Sequence, residues 1–466
     1  MIIRILFASI LIIGIQNFTS AQENLQPLSP ENLKQIKEKT IIDAQTKAII
    51  NAVSSNDLKK VAKNQDNQGK QDHLFSNRVK TKGISDQKSS GRCWLFTGLN
   101  VMRPKVIQKY ELSDFEFSQV YCFFYDQLEK ANLFLEGIIS TASLGMDDRK
   151  VDWLFKNPIG DGGQWTGVVN IIEKYGVVPA DVMPETYHSE NTSMLSRLLS
   201  RLLRGDGLEL RDLAKKGKKT EDLRKEKIRM LTDVYRVLVV TLGQPVENFS
   251  WRYTGKDGII VEMKEMTPLA FYKEAVGVDL KEYVMLMDDP SREYNQVYEI
   301  EFDRHTADGA NWKYINLPAA TIKEFAKASL LDNEAMYFSC DVGKQLDNEN
   351  GFLDVNNYDY ESALGVKFTM TKAQRIMTSE SSSSHGMALV GVDLDANGNP
   401  MKWLLENSWG AKSGHQGHLT MTDRWFDEYM FRIVILKKFI TPEVLKILEK
   451  KPIVLPPWDP MFAPEE

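Results

Sequence analysis

The chain has 466 residues, of which 42% are hydrophobic and 10% aromatic, and its formal net charge is −6. This composition excludes an intrinsically disordered protein, and the acidic balance argues against nucleic-acid binding. The length suits one large domain with insertions or two to three ordinary domains. The three cysteines, Cys93, Cys122 and Cys340, are too few for a disulfide scaffold.

The N-terminus has the pattern of a secretory signal peptide. Arg4 precedes an apolar run, and small residues follow this run up to Ala21. We therefore predict a signal peptide over residues 1–21, a mature chain of residues 22–466, and export to a periplasm or beyond. An uncleaved membrane anchor is the alternative, but the apolar run is shorter than the ~20 residues that span a bilayer, and no later stretch is long enough. A charged, helix-forming stretch follows over residues 29–53.

The stretch from Gln87 to Phe96 carries the first half of a candidate site. Its glycine-containing loop leads into a helix that we expect to begin near Cys93 and to end before Pro104, because proline removes a backbone donor. A thiol at a helix N-terminus lies near unpaired N–H groups and the positive end of the dipole, which favours the nucleophilic thiolate. A buried structural cysteine is the alternative.

A predicted core helix and a glycine-rich turn come next. Aromatic residues recur at helical spacing over residues 115–135. Gly162 and Gly163 form a turn before a short amphipathic helix over residues 168–175. Because the turn lacks the lysine of a phosphate loop, we interpret it as a place where the backbone approaches a peptide substrate, with a plain tight turn as an equal alternative.

The middle of the chain combines helical and strand patterns. Residues 193–242 are rich in leucine and charge, and we predict that they form an inserted helical lobe whose basic run at 215–219 is a solvated helix end. Strands are predicted over residues 251–266, 294–302 and 334–340. Cys340, at the end of the last of these strands, is expected to be structural.

The stretch from His385 to Asn407 carries the second half of the site. An apolar strand runs from His385 to Asp393, and after a turn a second strand ends at Glu406. Antiparallel pairing of the two strands brings His385 near Asn407 and Trp409. The asparagine can then orient the imidazole so that its other nitrogen faces a thiol, which is an arrangement suited to acyl transfer through a thioester. An ordinary structural histidine is the alternative.

The other histidines show no metal-site pattern. None has a paired spacing with cysteine or carboxylate, so we expect structural or surface roles for them, and neither a metal nor a cofactor for the protein. These histidines are His73, His188, His305, His415 and His418.

Taken together, the two halves resemble the papain-like cysteine peptidases, and within them the bleomycin hydrolase and aminopeptidase C family. The similar segments are residues 87–96, 161–165, 172–179, 184–192, 340–344, 406–410 and 454–461. They extend over most of the mature chain. Ser90 and Arg92 differ from the ordinary papain signature, and the long separation of Cys93 from His385 requires an insertion between the two halves.

The resemblance implies an α+β, papain-like two-lobed fold, with a helical lobe, an antiparallel β lobe and a large inserted helical lobe. It implies that Cys93 is the nucleophile, that His385 is the general base and acid, and that Asn407 orients the histidine. Gln87 would form the oxyanion hole together with the Cys93 backbone N–H, and Trp409 would shield the contact between histidine and asparagine.

The resemblance further implies a homohexamer and a broadly specific aminopeptidase that acts on peptides with a free N-terminus. In the family the C-terminal tail lies in the cleft, where its carboxylate meets the amino group of the substrate. The corresponding tail here is residues 452–466, and its acidic end differs from the small-residue end of many relatives. The implied substrate-binding residues are Gly162, Gly163, Trp409 and Glu466. Two alternatives stay open, namely a cysteine endopeptidase and a non-catalytic binding scaffold with the same fold.

Overall fold

The structure is a computed structural model that describes residues 25–69 and 72–461. The predicted signal peptide, residues 1–21, and Glu466 lie outside the described residues. The chain divides into two compact units, Met1–Val61 and Ala62–Glu466. Among the described residues, no helix combines the length and the hydropathy needed to cross a bilayer.

The part of the first unit that the structure describes, from residue 25 onwards, is helical. Its helices are α1 (Pro30–Lys39), α2 (Ala44–Ser54) and α3 (Leu58–Val61). The Ser29 side chain caps α1 by accepting a hydrogen bond from the Asn32 N–H at 3.1 Å, and Asp43 caps α2 by accepting one from the Thr46 N–H at 2.7 Å. Because the cap at Asp43 starts a new helix, the helical stretch predicted over residues 29–53 is two helices.

The helices of the second unit fall into two groups along the chain. The first group is α4 (Cys93–Tyr110), α5 (Gln119–Ser140), α6 (Arg149–Lys156), α7 (Trp165–Tyr175), α8 (Tyr187–Glu190), α9 (Ser193–Lys215) and α10 (Thr220–Leu242). The second group is α11 (Pro268–Phe271), α12 (Ala319–Leu331), α13 (Tyr360–Leu364), α14 (Lys372–Met377), α15 (Asp423–Tyr429) and α16 (Pro442–Leu445). The first group forms a helical half in which α4, α5 and α7 pack on one another.

Helix α4 is longer than the sequence predicts. We expected it to end before Pro104, but it continues through this proline to Tyr110. Val106 and Ile107, in the turn after the proline, are buried. Burying two such side chains contributes roughly as much free energy as the ~3 kcal/mol that a proline costs inside a helix. Packing therefore overrides the local chain preference at this position.

Helices α9 and α10 together cover the segment predicted as an inserted helical lobe. Leu199, Leu203 and Leu210 of α9 are fully buried at helical spacing, and both helices pack on α5. The basic run at 215–219 is exposed at the turn between them, where Gly217 adopts a φ of 86°. The bounds of the two helices fit the predicted segment, and its status as an insertion stays a prediction.

A large sheet forms the β half of the second unit. The strands are β1 (Asn77–Arg78), β2 (Phe249–Thr254), β3 (Ile260–Met266), β4 (Tyr283–Met287), β5 (Gln296–Ile300), β6 (Lys313–Asn316), β7 (Met336–Cys340), β8 (Leu346–Asp347), β9 (Phe352–Leu353), β10 (His385–Leu394), β11 (Pro400–Glu406), β12 (His418–Thr422), β13 (Met430–Leu436) and β14 (Ile453–Leu455). Strands β2 and β3 form a separate hairpin, and the other twelve form one sheet in the order β14-β5-β6-β4-β13-β7-β10-β11-β12-β9-β8, with β1 on β10. The pairs β14–β5, β4–β6 and β12–β9 are parallel, so the sheet is mixed and not purely antiparallel. A helical half beside a mainly antiparallel sheet makes the predicted α+β fold.

The predicted hairpin that carries the second half of the site is present. Strand β10 pairs antiparallel with β11, with Ala388 opposite Glu406, and the Asp395 carboxylate accepts two backbone N–H groups in the turn between them. On its other side β10 pairs with β7, with His385 opposite Cys340. Cys340 is fully buried in this centre of the sheet.

Candidate active site

Cys93 is the first residue of α4. It is partly exposed, whereas the residues from Trp94 to Phe96 are buried in the core. The first N–H groups of a helix have no partner within the helix, and the dipole adds positive potential there, so this position favours the Cys93 thiolate. Cys122 and Cys340 are fully buried, and burial raises the pKa of both thiols.

Buried polar contacts fix the loop before α4. The fully buried Arg92 guanidinium donates to both carboxylate oxygens of Glu185, at 3.1 and 2.8 Å. The Gly91 N–H donates to the Asp161 carboxylate at 2.7 Å, and the Trp94 indole N–H donates to the Asp161 carbonyl at 2.9 Å. Bidentate arginine–carboxylate pairs are directional as well as strong. Arg92, which differs from the ordinary papain signature, therefore stabilises this loop.

His385 and Asn407 form a hydrogen-bonded pair. The Nε2 atom of His385 lies 2.8 Å from Oδ1 of Asn407, so the ring N–H donates to the amide oxygen. The same oxygen accepts the Ser408 N–H at 2.8 Å, which fixes the orientation of the amide. The Trp409 ring packs against the imidazole, with the two ring centroids 4.7 Å apart. A proton on Nε2 leaves Nδ1 as the nitrogen that can accept a proton.

Burial decides the protonation of His385. Burial lowers the pKa of His385 to about 4, and the hydrogen bond with Asn407 acts in the opposite direction. An imidazole alone in this environment is therefore neutral at pH 7. A neighbouring thiolate favours the imidazolium, so a thiol and an imidazole at this site titrate as a coupled pair.

The start of α4 lies beside the start of β10. A Cβ placed on Gly386, the residue after His385, would be 3.3 Å from Oγ1 of Thr97. Thr97 is one turn after Cys93 and lies on the same face of α4. The structure therefore brings the two predicted halves of the site together, and the chemical roles of Cys93 and His385 stay predictions.

Main-chain and side-chain hydrogen bonds fix Gln87. Its N–H donates to the Ser408 carbonyl at 2.8 Å, and the Gly410 N–H donates to the Ser85 carbonyl at 3.1 Å. The side-chain oxygen of Gln87 accepts the Ser408 hydroxyl at 2.6 Å, while its amino group donates to the Ser90 carbonyl at 2.6 Å. An amide NH₂ has two hydrogens, so one hydrogen is available for a further acceptor. The oxyanion-hole role of Gln87 stays a prediction.

Gly162 and Gly163 are exposed. A Cβ on Gly163 would lie 2.4 Å from Cε1 of His305 and 2.8 Å from Cε2 of Trp94, so a side chain does not fit there. Gly162 faces open space, and its carbonyl accepts the Lys130 ammonium at 2.6 Å. Contacts with His305 and Trp94 thus explain why position 163 requires glycine, without any substrate. Substrate binding by Gly162 or Gly163 stays a prediction.

His305 is a buried residue whose partner the sequence did not indicate. Its Nδ1 lies 2.5 Å from Oδ1 of Asp126, and its ring contacts Trp94 edge-on, with the centroids 4.8 Å apart. Burial and the nearby Lys130 lower the pKa of His305, and Asp126 raises it. Asp126 lies on α5, far from His305 in sequence, so no local spacing pattern could have predicted this pair.

No metal-binding group was found in the part of the chain that the structure describes. Among residues 25–69 and 72–461, no three or more His, Cys, Asp or Glu side chains are arranged to hold a metal ion. The expected absence of a metal or cofactor therefore stays a prediction.

The described part of the C-terminal tail follows the edge of the sheet. Strand β14 pairs parallel with β5, Arg292 donates to the Asp459 carboxylate, and the Arg149 guanidinium lies 4.7 Å from the centre of the Trp458 ring. These contacts anchor the tail as far as the described residues extend, and Glu466 lies beyond them. A tail that reaches the active-site cleft stays a prediction.

The fold and the site define a class of protein. An α+β fold with a cysteine at the start of the helix that packs on the sheet, and with a histidine at the start of one strand bonded to an asparagine directly after the neighbouring strand, is that of the papain-like cysteine peptidases. The chain belongs to the Peptidase C1-like family, whose model matches residues 27–462. The family resemblance and the fold class predicted from the sequence are thereby confirmed.

Similar proteins agree with this assignment. The chain is 41% identical over 412 residues to aminopeptidase C of Streptococcus thermophilus, covering 88% of this chain and 93% of that protein. It is 40% identical over 402 residues to bleomycin hydrolase of Homo sapiens, covering 84% of this chain and 88% of that protein. The crystal structure of PepW from Lactobacillus rhamnosis matches with a TM-score of 0.91 at 38% identity, covering 94% of this chain and 99% of that chain.

Proposed function

We propose that the protein is a cysteine aminopeptidase that hydrolyses peptide bonds through a thioester on Cys93. The observation that carries this proposal is the 2.8 Å hydrogen bond between His385 and Asn407. His385 is the first residue of β10, and this strand packs against α4, which begins at Cys93. Similarity to aminopeptidase C and bleomycin hydrolase over most of both chains supports the choice of an aminopeptidase.

The reaction has two acyl-transfer steps. The Cys93 thiolate attacks the carbonyl carbon of the scissile bond, and the oxyanion accepts hydrogen bonds from the Cys93 backbone N–H and the Gln87 amide. His385 takes the proton of the Cys93 thiol on Nδ1 and donates it to the leaving amine as the C–N bond breaks. It then takes a proton from the water that hydrolyses the thioester, and the Cys93 thiolate is released. Asn407 keeps the imidazole oriented through both steps.

Substrate binding is expected where the two halves of the second unit meet. Gly162 and Gly163 would allow an extended peptide to approach on one side, and Trp409 would form the other wall. The C-terminal carboxylate at Glu466 would pair with the amino group of the substrate, which gives aminopeptidase action with broad side-chain tolerance.

The test compares coumarin-amide substrates with free and blocked N-termini. Full-length mature protein should cleave aminoacyl-amidomethylcoumarins and lose this activity when the N-terminus is blocked. The Cys93→Ala variant serves as the background control, since a smaller side chain at this partly exposed position should leave the fold intact. Preference for blocked peptides would indicate an endopeptidase, and failure of an epoxide thiol-protease inhibitor to label Cys93 would indicate a non-catalytic scaffold.

We also propose that the mature protein is exported and forms a homohexamer. The signal-peptide pattern ending at Ala21 supports export, and the family resemblance supports the hexamer. N-terminal sequencing of the protein from its native source should give Gln22, and light scattering should give six times the protomer mass. A retained Met1 or a monomeric mass would contradict the respective proposal.

A further inference from the structure

Arg432 is a buried cation in the centre of the sheet. It lies on β13 and is 7% exposed. Arg432 is opposite Ser339 of β7, and Ser339 is opposite Gly386 of β10. The three residues therefore form one row across three strands, beginning next to His385. Directly opposed residues of neighbouring strands point to the same face of a sheet.

This face of the sheet is the one that α4 covers. Thr97 of α4 packs against Gly386, so the Arg432 side chain also points towards the helical half. Its guanidinium donates to the Gln164 side-chain oxygen at 3.0 Å and to the Ser383 hydroxyl at 2.7 Å. Gln164 directly follows the glycine turn, and Ser383 lies two residues before His385. One guanidinium thus bonds both segments that flank the active site.

Further contacts fix the position of this guanidinium. It lies 4.3 Å from the centre of the Trp312 ring, and Ser383 is also hydrogen-bonded to Ser339. A planar guanidinium that bonds two partners and stacks on a ring has little freedom to move. A lysine in its place could keep the charge but could not make both hydrogen bonds in the same geometry.

Charged and titratable groups from several elements face Arg432 and its surroundings. They are Cys93 on α4, Tyr337 and Cys340 on β7, Tyr314 on β6, Asp303 after β5 and, beyond Asp303, His305 and Lys130. Burial lowers the pKa of Arg432, while negative charge on Tyr337, Asp303 or Cys93 raises it. Coulomb interactions are mutual, so a cation that a Cys93 thiolate would stabilise also stabilises that thiolate.

We propose that Arg432 is a positioning residue for the peptidase reaction: its guanidinium holds the turn at Gln164 and the segment that leads into His385 in a fixed relation, and its charge favours the thiolate of Cys93. This inference rests on the proposed function. It assigns Arg432 two separable effects, one through geometry and one through charge.

The charge effect is measured by alkylation of Cys93. The rate of carboxamidomethylation by iodoacetamide, followed by mass spectrometry of the Cys93 peptide across pH, reports the fraction of thiolate. Arg432→Met should raise the midpoint of this profile by about one pH unit, and kcat/KM below the midpoint should fall about tenfold with the thiolate fraction. Arg432→Lys, which keeps the charge, should leave the midpoint in place.

The geometric effect is measured by steady-state kinetics of Arg432→Lys. Loss of the double hydrogen bond to Gln164 and Ser383 should lower kcat about tenfold, because the reacting groups are less well oriented. Arg375→Met is the matched control. Arg375 also bonds a carboxylate and a carbonyl and lies over a tyrosine ring at 5.0 Å, and its loss should leave both midpoint and kcat unchanged.

An unchanged alkylation midpoint in a folded Arg432→Met protein would overturn the charge effect, and so would an equal shift in Arg432→Lys. If Arg432→Met does not fold, Arg432→Lys decides the proposal, and wild-type kcat and KM in that variant would overturn it. If the proposed function is wrong, the result differs. The pH profile of Cys93 alkylation in wild-type protein would then still have a low midpoint, but the protein would cleave none of the aminoacyl substrates.

Discussion

At the residue scale, one serine orients the side-chain amides of Asn407 and Gln87. The Ser408 N–H donates to the Asn407 oxygen that accepts from His385, and the Ser408 hydroxyl donates to the Gln87 oxygen. The Asn407 oxygen is thereby held where it also accepts from His385, and the Gln87 amide is turned so that its amino group points away from Ser408. In the proposed reaction, groups fixed in this way would need no reorientation when charge develops.

Replacing Gln87 by alanine should lower kcat by about 10²–10³-fold, because one donor to the oxyanion is lost. The effect on KM should be small, since the donor acts on the transition state. The measurement is steady-state hydrolysis of a free-amino coumarin amide, with thermal unfolding as a check of the fold.

Gln119→Ala provides the matched control for Gln87→Ala. Gln119 is another buried glutamine, 3% exposed, and its side chain bonds Glu116 on the helical half. Equal losses of kcat in the two variants would show that removing any buried glutamine impairs the enzyme, and would contradict the oxyanion-hole role.

Some residues of the candidate site could be identified from the sequence alone, and others could not. Cys93, His385 and Asn407 lie in short segments whose neighbours carry a recognisable pattern, so they could be singled out before the structure. Arg432 is an isolated arginine in an apolar stretch, and His305 pairs with a distant aspartate. Neither has a local spacing signal, and only the three-dimensional arrangement shows their partners.

At the element scale, α9 carries a carboxyl group on its buried face. Asp206 is 8% exposed, and burial raises its pKa to about 6. Arg229 on the neighbouring helix lowers this pKa, while Glu209 and Asp233 raise it further. The folded protein therefore favours the protonated form of Asp206. Its contribution to stability is present below the pKa of the unfolded chain, near ~3.9, and is lost as the pH rises through about 6.

Asp206→Asn should remove this loss of folding stability at higher pH, because asparagine does not titrate. At pH 8 the variant should be more stable than the wild type by about 1–2 kcal/mol. This gain is smaller than the full pKa shift of Asp206 would give, because solvent screens part of the effect. At pH 4 the two proteins should be equally stable. Urea unfolding at both pH values measures this difference. Asp212→Asn, on the same helix with its side chain 57% exposed, should change little, and an equal gain there would contradict the assignment.

Elements were predictable where local chemistry determines them. The β10–β11 hairpin was predicted because Asp395 and the residues after it have strong turn preferences and the flanking runs are apolar. The end of α4 was wrongly predicted because the rule that proline ends a helix is local, while burial of Val106 and Ile107 is not. Strand β13, which is central to the sheet, has a sequence that is apolar except for Arg432, and such a run does not by itself distinguish a strand from a buried helix.

At the scale of the whole molecule, a buried ion pair joins the helical half to the sheet. Arg103 on α4 donates to Glu406 on β11 at 2.6 Å, with side chains 2% and 0% exposed. Burial raises the pKa of Glu406, and Arg103 lowers it. Glu406 directly precedes Asn407, so this pair connects the packing of the two halves to the position of the active site.

Glu406→Gln should destabilise the protein by about 3–5 kcal/mol, because it leaves the Arg103 charge buried without an anionic partner. Urea unfolding measures the loss. Glu428→Gln is the control, since Glu428 pairs with Arg375 but is 41% exposed, and its replacement should cost less than about 1 kcal/mol. A loss of stability below about 1 kcal/mol in Glu406→Gln would contradict the stabilising role of the buried pair.

The family and the class of fold could be predicted for the whole molecule, because motif segments are distributed along most of the chain. The order of the strands could not, since it depends on pairings such as β13 with β7 that join distant parts of the sequence. The three parallel pairs in the sheet likewise follow from long connections that carry no pattern of their own.

The backbone bonds from Gln87 to Ser408 and from Gly410 to Ser85 have a consequence for how the enzyme loses activity. They connect the segment before Cys93 to the segment after Asn407, so neither segment can detach without breaking its hydrogen bonds to the other. The amide protons of Gln87 and Gly410 should then exchange with deuterium only through global opening. Inactivation by denaturant should accordingly coincide with unfolding instead of preceding it.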